Sequence, residues 1–380
     1  MAVPLLYNLR HLRARPLAAA LTALGIALPT MALLFALALP EGLKRVLQGS
    51  GEPGNLVVLR KGALTETNSA IARDTASLLE TLPEIAKDEG GRPLASPEAV
   101  IVVFKPRRNG LKSNLIVRAT GEVGRGLRPR VGLVEGRWHR PGLPELTVSR
   151  KIADRYENLG LGESIRFSRN DWRVVGIFEA GGTASESEAW GDRDLLMEEF
   201  RRDLYSSVLV SVPTPEKQAT FVQELRDNPR LSLAADPEQE YYGKQTKDIG
   251  IPVQFVGVFA SILLAIGATV GAANTMYAAV SHRTQEIAVL RAIGFRRRGI
   301  LLSFLLESFA VALLGGLVGC VLAYLFFNGR ATSTVNWWSF SDVAFQFRIT
   351  PRLLGIGAAF AALIGIVGGA LPARLAASRS

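Results

Sequence analysis

Apolar positions along the chain fall into two regimes. Four runs are apolar almost without interruption: Leu17–Leu39, Ile251–Val280, Ile300–Phe327 and Leu353–Leu371. About 20 apolar residues in a helix cross a hydrocarbon layer about 30 Å thick, so each run is a candidate membrane span. The first is broken only by Thr22, Gly25, Pro29 and Thr30 and holds no charge. Its basic approach (Arg10, Arg13, Arg15) and the Ala36-x-Ala38 pattern also resemble a signal peptide. A cleavable apolar core is only about 7–15 residues long, so we expect an uncleaved span.

Between the first and second runs the pattern changes. Short stretches such as "NLVVLR", "AVIVVF", "SNLIVRA", "ESIRF", "WRVVGIF" and "SSVLVSV" alternate or cluster apolar residues as strands do. Helical patterns interleave over 69–82, 150–158, 193–204 and 215–227. The expected fold class is an α-helical membrane protein with four transmembrane helices, plus a large extracytoplasmic mixed α+β domain inserted between helices 1 and 2. Its segments are an amphipathic amino-terminal helix (1–16), span one (17–40), the domain (41–250), span two (251–280), a basic loop (281–299), span three (300–327), an outer loop (328–352), span four (353–372) and a tail (373–380). Within the domain, "GTASESEAWGDRD" (182–194) is polar and turn-rich and reads as an exposed loop, with Trp190 as an anchor or contact.

Charge orients these spans. The 380 residues carry 44 Lys+Arg and 34 Asp+Glu. Residues 41–250 are balanced, with 31 of each sign, so the whole excess belongs to the two apolar ends. Positive charge beside apolar runs indicates membrane orientation rather than nucleic-acid binding. The 281–299 loop has five arginines (Arg283, Arg291, Arg296, Arg297, Arg298), which places it and both termini inside and the large domain outside. Trp337 and Trp338 suit the outer water–lipid boundary.

Candidate chemistry is sparse. Cys320 is alone, which excludes an intramolecular disulfide, and reads as a small apolar filler. His11, His139 and His282 are scattered, and no HExxH, CxxC or GxSxG occurs, so no metal or catalytic cluster is expected. Asp192 and Asp194, near Glu186 and Glu188, read as solvated acids rather than a metal pair. Glu307 is the one carboxylate inside a span; it either links helices or pairs with Arg296–Arg298. Gly267-x-x-x-Gly271, Gly315-x-x-x-Gly319 and Gly365-x-x-x-Gly369 have the spacing of close helix approaches, within one chain or between copies.

"SHRTQEIAVLRAIGFRRRGILLSFLLESFAVALLGGLVG" (281–319) then carries a resemblance. An acidic start (Glu286, Ile287, Ala288), an Arg291-Ala292-Ile293-Gly294 turn, the Arg296–Arg298 cluster, Glu307 and Gly315-Gly316 together resemble the FtsX-like permease family in its MacB-type branch. "NLRHLRARPLAAALTALGIAL" resembles that family's entry into span one, and "LVEGRW" and "LGLGESIRF…WRVVGIF" resemble its external domain.

The resemblance implies a multi-pass subunit of a bacterial inner-membrane ABC transporter, with its large domain in the periplasm. It implies a non-catalytic chain without cofactor of its own, paired with a separate ATPase subunit that uses ATP and magnesium, because no Gly-x-x-x-x-Gly-Lys-Ser/Thr phosphate loop occurs here. Further implied partners are a second copy or related permease, membrane lipid, and a periplasmic adaptor with an outer-membrane protein. The segment 286–294 becomes a coupling helix, with Glu286, Ile287, Leu290, Arg291, Ile293 and Gly294 toward the ATPase. Arg296, Arg297 and Arg298 then hold the start of span three at the inner interface. Export or extrusion of a lipid, lipoprotein, peptide or drug-like molecule is the expected activity. The alternative is control of a periplasmic cell-wall hydrolase, against which the domain is too large and strand-rich.

Overall fold

The computed structural model describes residues 16–228, 231–335 and 342–378. The expected amino-terminal helix and the Trp337–Trp338 pair lie outside them. The chain divides into a helical unit and a sheet unit, the latter centred on Leu43–Ile249.

Four helices are long and apolar enough to cross a membrane, over Pro16–Leu43, Ile251–His282, Arg297–Phe327 and Pro351–Ala377. They belong to α1 (Pro16–Gln48), α7 (Glu238–His282), α9 (Arg297–Phe327) and α10 (Pro351–Ser378), with the short α8 (Thr284–Ala292) between α7 and α9. The first helix runs on through Ala36 and Ala38, both buried.

Small residues set how closely these helices approach. A Cβ on Gly315 would lie 2.5 Å from the Ala23 carbonyl oxygen, and one on Gly319 would lie 2.6 Å from that of Ala27. Span three therefore meets span one backbone to backbone, as small-residue interfaces allow. Gly365 and Gly369 do the same for span four: their added Cβ atoms would lie 2.3 Å from Ala312 Cβ and 2.6 Å from Ser308 Cβ. The Ser308 hydroxyl donates to the Gly365 carbonyl at 2.7 Å. Gly267 and Gly271 differ: nothing lies within 4 Å of a Cβ at either, so this pair makes no close approach within the chain. Cys320 is half-buried, its thiol 3.8 Å from the Leu354 carbonyl oxygen.

The sheet unit holds ten strands in the order β10-β1-β9-β2-β3-β8-β5-β7-β4, with β6 on β7. They are β1 (Asn55–Arg60), β2 (Ala95–Pro106), β3 (Lys112–Thr120), β4 (Gly132–Gly136), β5 (Glu145–Ser149), β6 (Ser164–Arg166), β7 (Asp171–Glu179), β8 (Glu188–Asp192), β9 (Ser207–Ser211) and β10 (Leu233–Pro237). The helices between them are α2 (Arg73–Glu80), α3 (Glu122–Gly126), α4 (Arg150–Arg155), α5 (Arg193–Glu199) and α6 (Pro215–Asp227). Strand β2 joins two halves. Its Ala95–Glu98 portion pairs with β9, and from Ala99 it pairs with β3.

A buried ionic cluster occupies this change of partner. Arg118 bridges Glu66 and Glu98, each at 2.8 Å, and Glu188 at 2.6 Å. Arg128 reaches Glu98 at 2.7 Å, and Thr120 donates to the same carboxylate at 2.7 Å. Buried charges persist only when paired and fully hydrogen-bonded, and here each has named partners. Burial alone would raise the Glu98 carboxyl, but the Arg128 and Arg118 guanidiniums beside it outweigh burial and hold it at about 2. Gly124 is required alongside: a Cβ there would lie 2.4 Å from Glu98 Oε1 and 2.3 Å from Thr120 Oγ1.

The segment 182–194 corrects the sequence reading. It is not an exposed loop. Residues 188–192 form β8, parallel to β3 inside the sheet, and Trp190 is fully buried. Trp190 Nε1 donates to Glu188 at 2.7 Å. Glu186 is buried and accepts from the Ala180 and Gly182 amides, while Asp192 caps α5 by accepting from Leu195 N. Turn-rich and acidic, the stretch folds inward because Lys151 and Arg118 pair with Glu186 and Glu188, whereas Asp194 stays exposed as its sequence context suggests.

The loop after span three forms a two-stranded ribbon, β11 (Ala331–Val335) with β12 (Asp342–Gln346).

Candidate coupling site

The basic loop opens where α7 ends at His282. Arg283 leaves helical geometry (φ −106°, ψ 16°) and becomes the cap of α8. Glu286 in the first turn of α8 and Arg291 in its last turn match the helix dipole. Gly294 (φ +100°) closes the helix in the left-handed region that favours glycine. Arg296 is extended and starts α9, and Arg296, Arg297 and Arg298 are all exposed. Cations at a helix N-terminus oppose its dipole, so this cluster is favoured only where outside anions such as lipid phosphates offset it.

The two faces of α8 differ. Ile287 is 3% exposed and belongs to a cluster with Met276 and Val280 of span two, Ile300 and Phe304 of span three, and Ala373 and Ala376 of span four. Val289 and Ile293 are 57% and 69% exposed. With 3.6 residues per turn, Glu286, Val289 and Ile293 fall within about 60° of one another, on a face turned away from the bundle. Arg291 is half-buried, and its guanidinium donates to the Ala377 carbonyl at 3.4 Å. Ile287 and Ile293 therefore do not point the same way, although the resemblance set both toward the ATPase, and Arg291 leans toward span four rather than outward. The side chain of Leu290 lies outside the described set.

Glu307 is buried in span three and joined to Arg283 by two bonds of 2.9 and 3.1 Å. The Arg283 guanidinium also lies 5.8 Å from the centre of the Phe304 ring. Of the two readings of Glu307, the link between helices is the one observed, and Arg296–Arg298 are not its partners. The sequence reading used Arg283 for topology alone. The available signal was depth: a carboxylate inside a span needs a cation at its own level, and Arg283 ends the preceding span.

Beside this pair is a cavity of about 110 Å³ among the helices, walled by Ala18, Ala19 and Thr22 of α1, Ala278 and Ala279 of α7, and Val311 of α9. Thr22 donates to Thr275 across it at 3.2 Å. Among the described residues no group of three or more His, Cys, Asp or Glu side chains could hold a metal ion.

Four helices apolar and long enough to cross a membrane, with a mixed sheet domain inserted after the first, make this a multi-pass membrane protein. A family model for the FtsX-like permease C-terminal region matches residues 258–380, and one for the MacB-like periplasmic core domain matches 19–228. The chain belongs to the FtsX-like, MacB-type family of ABC transporter permeases. It is 30% identical over 247 residues to the macrolide export ATP-binding/permease protein MacB of Bdellovibrio bacteriovorus, covering 60% of this chain and 36% of that protein. It is 26% identical over 249 residues to the uncharacterized ABC transporter permease YknZ of Bacillus subtilis, covering 63% and 59%. It thus spans less than two thirds of the length of either relative. The solved periplasmic region of MacB from Actinobacillus actinomycetemcomitans superimposes with a TM-score of 0.38 at 12% identity, covering 52% of this chain and 94% of that one.

Proposed function

We propose that this chain is the transmembrane subunit of an ABC transporter in a bacterial inner membrane. It converts ATP-driven motion of a separate ATPase into movement of its periplasmic domain, and so drives export or extrusion of a lipid, lipoprotein, peptide or drug-like substrate. ATP and magnesium belong to the partner. The observation that carries this reading is α8, which presents Val289 and Ile293 outward while Ile287 is embedded among three spans. An exposed apolar face on a short, bundle-anchored helix is what a groove on another protein would accept.

Two further features support it. The open Gly267–Gly271 face of span two suits contact with a second copy, since backbone approach there is unobstructed. In the sheet unit, the Glu238 carboxylate at the start of α7 accepts from Glu52 N and from Asn55 Nδ2, both at 3.0 Å. The chain leaving α1 and the chain entering α7 are thereby fastened together, so a displacement of either is shared.

Affinity capture of the tagged full-length chain tests the reading. Recovery of an ABC ATPase together with an adaptor or outer-membrane protein is expected. Recovery of a cell-wall hydrolase in their place would overturn export as the activity.

A further inference from the structure

Motion of the nine-residue α8 can reach the spans only through its attachments to them. Among the described contacts three attachments stand out. The middle of α8 is buried through Ile287. Its end touches the Ala377 carbonyl through Arg291, at a long 3.4 Å. Its beginning is fixed by Arg283 to Glu307, whose side chains are only 11% and 8% exposed.

The last attachment differs in kind. A guanidinium and a carboxylate joined by two bonds resist twisting as well as stretching, because both planes are aligned. In an apolar surround neither group can be released to water cheaply, so the pair moves as one body. Ser308, the next residue, donates to Gly365 and passes the connection to span four. On the opposite side the cavity is walled by Ala18 and Ala19 of α1 and Ala278 and Ala279 of α7, small side chains that leave room for movement, with the Thr22–Thr275 hydrogen bond as a polar link across it.

We infer that Arg283 and Glu307 form the strut through which displacement of the coupling helix is passed to span three, and that the neighbouring cavity is the space into which the end of span two moves. Both are positioning residues, and this role rests on the coupling function proposed above. The strut makes α8 and α9 one lever, and the close contacts of Gly315 and Gly319 with Ala23 and Ala27 carry its displacement on to α1.

Two measurements on the full-length chain test the inference. The first needs no ATPase. Hydrogen exchange of the 283–293 amides is compared among the parent chain, E307Q, R283Q, R283K and the exchanged pair R283E/E307R. Single neutral replacements are expected to speed exchange about tenfold, and R283K and the exchanged pair to restore protection in large part. Unchanged exchange in E307Q overturns the strut whether or not an ATPase binds.

The second uses the complex captured with the ATPase. In a C320S background, L325C at the far end of span three is labelled with maleimide with and without MgATP. The parent is expected to change labelling rate about fivefold on adding MgATP, E307Q to lose that change while still recovering the ATPase, and R283E/E307R to regain it. An ATP response preserved in E307Q overturns the inference. Failure to capture any ATPase overturns the coupling function instead, and the exchange experiment still decides the pair.

Discussion

Ile287 and Ile293 lie on one short helical segment and point about 120° apart: Ile287 is 3% exposed, sealed among three spans, and Ile293 is 69% exposed. This difference separates a residue that anchors α8 to the bundle from one left exposed. Ile287→Ala is expected to cost about 2–4 kcal/mol by leaving a cavity, whereas Ile293→Ala stays within about 0.5 kcal/mol. Thermal unfolding of both variants in detergent checks the contrast, and equal losses would contradict it.

Arg118 neutralises Glu66, Glu98 and Glu188 from inside the sheet unit. Arg118→Met keeps the bulk and removes the charge, leaving three carboxylates short of a buried counterion. A loss of about 3–5 kcal/mol is expected, read from chemical denaturation followed by tryptophan fluorescence. A loss below about 1 kcal/mol, the scale of exposed pairs, would show that the cluster is solvated.

Acid should weaken the sheet unit in two steps. Burial, with the nearby Arg125 charge, pushes His139 from its ordinary 6.5 down to about 4. The unfolded chain therefore takes up this proton first, and stability falls as pH drops from about 6.5 to about 4, by up to about 3 kcal/mol. Glu98 adds a second step. Its folded value of about 2 against an ordinary 4.5 gives stability that is present above 4.5 and is lost as pH falls toward 2. Denaturation midpoints across pH 7 to about 3 check both, and His139→Gln should flatten only the upper step.

Glycines of equal spacing should respond unequally. Gly315→Leu drives a side chain into the Ala23 carbonyl and should destabilise the bundle by more than about 3 kcal/mol. Gly267→Leu meets nothing in its own chain and should leave the melting temperature of a single copy unchanged. Its effect is expected in cross-linking between copies, where loss of dimer at unchanged stability would mark that face as the contact.

Much of this architecture was legible because membranes impose length and charge rules on sequence. The four spans and the inserted mixed domain follow from apolar run length and from where arginines lie. What stayed hidden depends on partners distant in the chain. The 182–194 segment looks like a loop because its acids and glycines are read locally, whereas Arg118 on β3 and the parallel pairing with β8 decide its place. The Glu307 partner was sought in the adjacent arginines, although the helix ends bring Arg283 to the same level. The family motif sets Ile287 and Ile293 alike toward the ATPase, but only the bundle determines which direction is inward. The family motif was visible; the division of labour among its residues was not.

The central claim is that the outward face of α8 seats a separate ATPase. The most direct test is affinity capture of the full-length chain beside the double variant Val289→Asp/Ile293→Asp, both checked for equal membrane level and melting temperature. Loss of about 2–4 kcal/mol at a docking face lowers binding roughly thirtyfold or more. The parent should retain an ABC ATPase that the variant loses at least tenfold, with the bundle intact. Equal recovery of the ATPase by both chains would contradict this account.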